Sequence, residues 1–274
     1  NYSKKEIVSR VEDVEHELVR EAMQMTGVTS GVEITTLADI PSAGSGLGSS
    51  SSVTVGLLHA LYAYQGHQLS THELAERACA IEIDRCGKPI GKQDQYIAAF
   101  GGIRDLRFGP GERVIADELG LAAAERRALQ QQMMLFYTGV TRNANTILRE
   151  QRDNIESSLT ELDQLRDLAG VAVEGLRDGD IDAVGAALRV SWDVKRKLAT
   201  AVSNDQIDGA IDRALAAGSA GAKVSGAGGG GFLFVMCPIE CQTAVRKSLA
   251  DMRELPIKLD RLGSRVTLNV VRDI

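Results

Sequence analysis

The stretch that most narrows the choice of fold is residues 41–61, PSAGSGLGSSSSVTVGLLHAL, where a cluster of glycine and serine passes without a break into an apolar helical pattern. A helix start leaves free N–H groups and about half a positive charge, which attract an anion wherever the chain can come close. Gly46 and Gly48 carry no side chain to block an oligophosphate or to forbid unusual backbone angles, while Ser49, Ser50 and Ser51 add hydroxyl donors or an oxygen ligand for magnesium. The plainer alternative is a capped turn, since serine is a common helix cap. The spacing is neither the P-loop, which needs Lys-Ser or Lys-Thr after the last glycine, nor a dinucleotide fingerprint. A second glycine run, AKVSGAGGGGFLFV at 222–235, flips abruptly into an apolar strand. Consecutive glycines are costly to order unless a close approach requires them. Two such loops in one chain are harder to dismiss as capped turns.

A chain of 274 residues can bury a substantial core, and two sub-domains are expected. Its 31 basic and 37 acidic residues give a net charge of −6 with both signs scattered, which sets aside a nucleic-acid backbone or an anionic membrane as partner. No apolar run reaches the roughly 20 residues that cross a bilayer, and no basic-then-apolar leader opens the chain, so a soluble, cytoplasmic protein is expected. The first residue is Asn1, on a segment that reads like the middle of something longer. Cys79, Cys86, Cys237 and Cys241 form no paired C-x-x-C set. Free thiols packed as small hydrophobes are expected, and no ligand spacing supports zinc on His59, His67 or His72.

Val11, Val14, Leu18, Val19 and Ala22 recur at three- and four-residue steps, predicting an amphipathic helix that Gly27 closes; GVEITTLADIP then alternates like a strand. Val53, Leu57, Leu58, Leu61 and Tyr62 predict a helix from the serine run to Gly66, giving strand, glycine loop, helix. Ser70 or Thr71 can cap a further helix, with Glu73 in its first turn, running through LAERACAIEIDRC to Gly87. Short strands are expected at GGIRDLRFG and RVIAD around the Gly109-Pro110-Gly111 turn, and a buried strand at QQMMLFYTG. Helical patterns fill much of 145–218, interrupted by Gly170 and by Gly179-Asp180. The end reads as a strand at GFLFVMC, a helix over about 239–252 and strands at PIKLD and RVTLNVV. Runs of helices and strands without regular βαβ alternation predict α+β rather than a doubly wound sheet.

Taken together, the two loops make the chain resemble the GHMP kinases, the superfamily of galactokinase, homoserine kinase, mevalonate kinase and phosphomevalonate kinase. PSAGSGLGSSSS is similar to the ATP-phosphate motif, one residue longer from Pro41 to Gly46 than the usual P-x-x-x-G-L. KVSGAGGGGF, from Lys223 to Phe232, is similar to the third motif, which lies beside the active site and supports the nucleotide loop. IEIDRCGKPIGKQDQYIAAFGGI, LFYTGVTRNAN and VSNDQIDGAIDRALAAGSAGAKVSGAGGGG resemble the branch that phosphorylates D-glycero-D-manno-heptose 7-phosphate. Nearly the whole chain from Tyr2 onward fits that branch, but the family's first motif, on an early strand and loop, has no counterpart before Asn1. The resemblance implies a two-part α+β fold: a ribosomal protein S5 domain 2-like ATP-binding part over 1–130, short of its N-terminal strands, and a ferredoxin-like part over 131–274, with the site between them.

It also implies a chemistry: transfer of the γ-phosphoryl group of ATP, with magnesium, to the anomeric 1-hydroxyl of the heptose 7-phosphate. A fucose- or galactose-class kinase and a non-catalytic sugar and nucleotide sensor are the alternatives. The partner is then a small sugar phosphate, and a homodimer is left open. Gly44, Ser45, Gly46, Leu47, Gly48, Ser49, Ser50 and Ser51 would hold the phosphates, Ser50 and Glu82 match the family's magnesium-approaching pair, and Asp94 in GKQDQY matches the general base. On the residues alone, Glu82 reads as a solvated helix carboxylate and Asp94 as a cap for the helix beginning near Gln95. A substrate that already carries a phosphate wants Arg or Lys donors. Lys92, Thr141 and Arg142, together with Gly226, Ala227 and Gly228 of the second loop, are the substrate candidates. Lys195, Arg196 and Lys197 are further donors whose plainer role is a solvated face. Trp192 could stack on sugar or fill the core.

Overall fold

The computed structural model describes residues 5–40, 45–140 and 144–270. These fall into two compact units, one within Asn1–Ala43, Gly48–Glu118 and Asp260–Ile274, the other within Gly44–Leu47 and Leu119–Leu259.

The first unit is built on helices. α1 (Glu17–Thr26) buries Leu18, Ala22 and Met23 and stops at Gly27, whose φ of 74° only glycine adopts cheaply. α2 (Ser49–Tyr64) buries the predicted Leu57, Leu58, Leu61 and Tyr62. α3 (Thr71–Cys79) opens on a reciprocal cap: the Glu73 N–H donates to Ser70 Oγ at 3.2 Å, and the Ser70 N–H donates to Glu73 Oε2 at 2.9 Å. Beyond Cys79 the helix widens into a π-helical turn, Ala80–Arg85, and α4 (Gln93–Phe100) follows. Leu58, Leu61, Ala75, Ala78, Ile81 and Tyr96 meet in one apolar cluster, where each fully buried Leu or Ile contributes roughly 1.5–3 kcal/mol. β1 (Arg104–Phe108) and β2 (Val114–Glu118) form the expected antiparallel hairpin, with Leu106 opposite Ala116.

Two expected strands do not form among the described residues of this unit. Over 31–40, Val32 and Ile34 do pack on the cluster, as alternation requires, but the backbone joins no ladder. Over 265–270 there is likewise no ladder, and Leu268 and Val270 are exposed. A strand needs a partner edge as well as an alternating pattern. The return of the chain is fixed by a glycine contact instead: a Cβ on Gly101 would stand 2.1 Å from the Gly263 nitrogen, and one on Gly263 would stand 2.3 Å from the Ala99 oxygen.

The second unit carries α5 (Ala123–Gln131), β3 (Met133–Tyr137), α6 (Ala144–Asp153), α7 (Leu159–Asp178), α8 (Ile181–Lys195), α9 (Asp205–Ala216), β4 (Gly221–Val224), β5 (Phe232–Met236), α10 (Gln242–Ser248) and β6 (Arg253–Glu254). The sheet order is β4-β5-β3-β6, every neighbouring pair antiparallel, with Leu135 opposite Phe234: the ferredoxin-like arrangement. Met134, Phe136, Leu233, Val235, Ala222 and Val224 cluster with Ile207, Ala210 and Ala214 of α9, as period-two alternation requires. The expected strand at PIKLD is absent over 256–260, and the short β6 lies just before it.

Gly170 does not interrupt α7, because nothing crowds or kinks it there and both flanks continue the helix. The break falls at Gly179, with φ 70°, after which Asp180 caps α8 by accepting the Ala183 N–H at 2.9 Å. All four cysteines are free thiols; Cys79 and Cys237 are buried. No helix among the described residues is long and apolar enough to cross a membrane.

Candidate functional site

α2 starts at Gly48, φ 68°, preceded by Gly46 at φ 69°. A glycine N-cap offers no side chain to the first-turn N–H groups, and the first turn holds no acidic residue. Ser49 to Ser52 lie inside the helix, so the serines are not its cap. The N-cap residue of α2 therefore supplies no side-chain oxygen of its own to the positive end of the helix. Ser45 and Ser51 are buried, while Leu47, Ser49 and Ser50 are half-buried. Gly44 lies outside the described residues, as do Thr141 and Arg142.

Within the second unit, Gly46 packs directly on the second glycine loop. A Cβ on Gly46 would lie 2.5 Å from the Ser225 carbonyl oxygen, and one on Gly226 would lie 2.6 Å from Gly46 Cα. The rest of the run is as tightly held. The Gly229 N–H donates to the Val202 carbonyl at 2.6 Å and the Gly231 N–H to the Val140 carbonyl at 2.7 Å. A Cβ on Gly228 or Gly230 would stand 2.6 Å and 2.5 Å from those same two oxygens. Ala227 is half-buried, and Lys195 of α8 hydrogen-bonds the Gly226 carbonyl. Arg196 pairs with Asp193 and Asp208 at 3.0 and 3.1 Å, and Trp192 fills the core.

Within the first unit, Ser50 Oγ donates to Glu82 Oε2 at 2.7 Å. Glu82 sits in the π-helical turn and has no exposed surface, so it is not the solvated helix carboxylate that its residue type suggests. Burying a carboxylate requires donors and a counter-charge. Gln95 Nε2 donates to Glu82 Oε1 at 2.8 Å, and Lys88 Nζ lies 3.4 Å from Oε2 and 3.2 Å from Glu17 Oε1. Asp94 stands in the first turn of α4, whose N-cap is Lys92, so Asp94 is not the cap. Its Cγ would lie 3.3 Å from a Cβ on Gly48. Ser50 and Glu82 are thus in contact, and Asp94 lies against the loop glycine two residues before Ser50. Lys92 pairs with Glu112, which itself holds a left-handed φ of 64°.

The Ser50 hydroxyl and the Glu82 carboxylate are hard oxygen donors of the type magnesium takes, with phosphate oxygens as the usual completing ligands, so the pair fits that ion. Sequence reasoning passes over Gln95 and Lys88. The adjacency of Gln95 to Asp94 is the only local signal for it, and Lys88 reads as an ordinary loop lysine.

The chain thus carries two compact units, one with a ferredoxin-like sheet, and two glycine loops in backbone contact within that second unit. Two family descriptions match the chain: GHMP kinases N terminal domain over residues 6–102, and GHMP kinases C terminal over residues 172–251. The chain belongs to the GHMP kinases. Over 201 residues it is 34% identical to a D-glycero-alpha-D-manno-heptose 7-phosphate kinase of Campylobacter jejuni, covering 73% of this chain and 59% of that protein. A bifunctional fucokinase/GDP-fucose pyrophosphorylase of Arabidopsis thaliana is 28% identical over 258 residues, 88% of this chain and 24% of the other. The chain therefore spans less than two thirds of the length of either relative. A crystal structure of a D-glycero-D-manno-heptose 1-phosphate kinase from Bacteroides thetaiotaomicron superposes with a TM-score of 0.73 at 26% identity, over 92% of this chain and 74% of that one.

Proposed function

We propose that this protein is an ATP-dependent sugar kinase that phosphorylates the anomeric 1-hydroxyl of D-glycero-D-manno-heptose 7-phosphate, giving the 1,7-bisphosphate. The observation that carries the reading is the Asp94 carboxyl group lying against Gly48, which puts a candidate base at the mouth of α2. The choice of sugar rests on the 34% identity to a heptose 7-phosphate kinase.

In this reading the backbone amides of residues 44–51 hold the ATP phosphates at the positive end of α2. Ser50 and Glu82 hold magnesium, which when bound neutralises charge on the β- and γ-phosphates. Asp94 accepts the proton of the 1-hydroxyl. That oxygen bonds to the γ-phosphorus as the bond from phosphorus to the β,γ-bridging oxygen breaks, and ADP leaves with the electron pair. Lys92, Thr141, Arg142 and Gly226 to Gly228 are assigned to the sugar phosphate, Lys92 by exchanging Glu112 for it. A cytoplasmic setting goes with ATP and a phosphorylated sugar as substrates.

ADP release by the purified protein, with heptose 7-phosphate, fucose and galactose offered separately, tests the assignment. Turnover is expected with the first; its absence would remove the substrate. Turnover with fucose alone would instead favour the reading suggested by the match to the fucokinase over 88% of the chain. ATP binding with no turnover on any sugar would favour the sensor.

A further inference from the structure

Gln95 is wholly buried, yet only half of its amide is satisfied: Nε2 donates to Glu82 Oε1 at 2.8 Å, and Oε1 has no hydrogen-bond partner among the described residues. Buried polar atoms normally find partners, and an orphan calls for a physical reason. Turning the amide over would place its oxygen against a carboxylate oxygen, so the charge on Glu82 dictates which end of Gln95 faces it. The unpaired Oε1 is the consequence. A methionine or leucine of similar volume would carry no orphaned atom of its own, but it would leave the buried Glu82 Oε1 without a donor. The glutamine is therefore explained by Glu82 rather than by its own burial.

The geometry around Glu82 supplies the reason. Its two oxygens are divided: Oε1 is taken by Gln95, whereas Oε2 accepts from Ser50 Oγ at 2.7 Å and faces Lys88 Nζ at 3.4 Å. With Oε1 pinned, the carboxylate cannot swing about its terminal bond, and Oε2 stays beside the serine hydroxyl. We infer that Gln95 is a positioning residue that holds Glu82 so that Oε2 and Ser50 Oγ are presented together to the divalent cation of the nucleotide complex. The inference rests on the magnesium assignment proposed above, and it adds a residue that touches neither nucleotide nor sugar.

The test uses nucleotide binding, which needs no knowledge of the sugar. A fluorescent ATP analogue is titrated with magnesium in the parent, Gln95→Met, Glu82→Gln and Ser50→Ala proteins, alongside thermal melts. Gln95→Met is expected to raise the magnesium concentration for half-maximal binding at least tenfold, read at a temperature where the melts show parent and variant both folded, since the change also leaves the buried Glu82 Oε1 without its donor. In the Ser50→Ala background the same change is expected to have a much smaller effect, because the two act on one carboxylate. Should Gln95→Met fail to fold, Gln95→Asn, polar but too short to reach Glu82, carries the same expectation. Unaltered magnesium dependence in the Gln95 variant, with Glu82→Gln impaired, would overturn the positioning role alone. Unaltered dependence in Glu82→Gln would overturn the magnesium assignment beneath it.

Discussion

Replacing Gly46 by alanine tests whether the two glycine loops serve each other. At φ 69° an L side chain occupies the left-handed region, which costs roughly 1–2 kcal/mol. The added Cβ would also stand 2.5 Å from the Ser225 oxygen, 3.0 Å from its carbonyl carbon and 3.4 Å from Gly226 Cα. All three are backbone atoms, so relief requires the second loop to move, and overpacking of that kind costs about 1–3 kcal/mol more. The whole loss should be about 2–5 kcal/mol. Gly179 provides the control, with φ 70° and nothing within 4 Å of an added Cβ, so Gly179→Ala carries only the conformational part. Urea unfolding of parent and variants should show Gly46→Ala losing about 1–3 kcal/mol beyond Gly179→Ala. ATP affinity should fall about tenfold or more in the first variant and hold in the second, a tenfold change being about 1.4 kcal/mol. Equal losses in the two variants would refute the claim that loop contact is what demands glycine at residue 46.

Asp94→Asn should lower turnover by about 100- to 10,000-fold with ATP affinity nearly unchanged, measured by ADP release against equilibrium binding. Glycine-to-alanine changes in two neighbouring helices should act in opposite directions. Gly185→Ala would put a Cβ 2.5 Å from the Ala220 carbonyl and lower the melting temperature, whereas Gly170→Ala has open space in α7 and should gain about 0.5–1 kcal/mol. Burial pushes the Cys79 thiol up to about 12, the Cys237 thiol to about 11 and the Tyr96 hydroxyl to about 12. The folded chain therefore keeps protons that the unfolded chain releases at lower pH, so the stability from these groups is complete below about pH 9 and lost as pH rises from there toward 12. Urea midpoints compared at about pH 8 and about pH 10.5 should fall, and by less in Cys79→Ala.

Elements whose evidence is local were legible in the sequence. The Ser70 and Glu73 cap, the glycine stops at Gly27 and Gly179, and the apolar run of β3 each declare themselves within a few residues. The segments at 31–40 and 265–270 misled because alternation speaks to which side chains turn inward, not to whether a neighbouring edge exists. Val32 and Ile34 obey the pattern without belonging to a ladder. Gly170 misled for the opposite reason: a single glycine weakens a helix by only about 1 kcal/mol, less than the continuing helical pattern on both sides supplies. Gly175, a few residues on, shows what a glycine needed for packing looks like, with Val184 Cγ2 and the Asp180 oxygen 3.0 and 3.2 Å from its missing Cβ.

The candidate site divides along the same line. The loops can be read because glycine is the one residue whose presence reports a missing Cβ, and the structure supplies a close neighbour at Gly46, Gly226, Gly228 and Gly230. Ser50, Glu82 and Asp94 came through resemblance, since nothing in the periodicity of LAERACAIEIDRC marks Glu82 as the acidic residue that turns inward. It does so in a π-helical turn, where one more residue per hydrogen-bonded ring rotates the facing of the residues after it, and a sequence window carries no sign of that rotation. Gln95 is hidden more deeply still. Its side chain is explained by the charge of Glu82, and Glu82 is buried where Ser50, Gln95 and Lys88 surround it. Each member of such a cluster has a reason only in the presence of the others. Composition, spacing and propensity, which weigh residues one at a time or along one element, therefore leave it out.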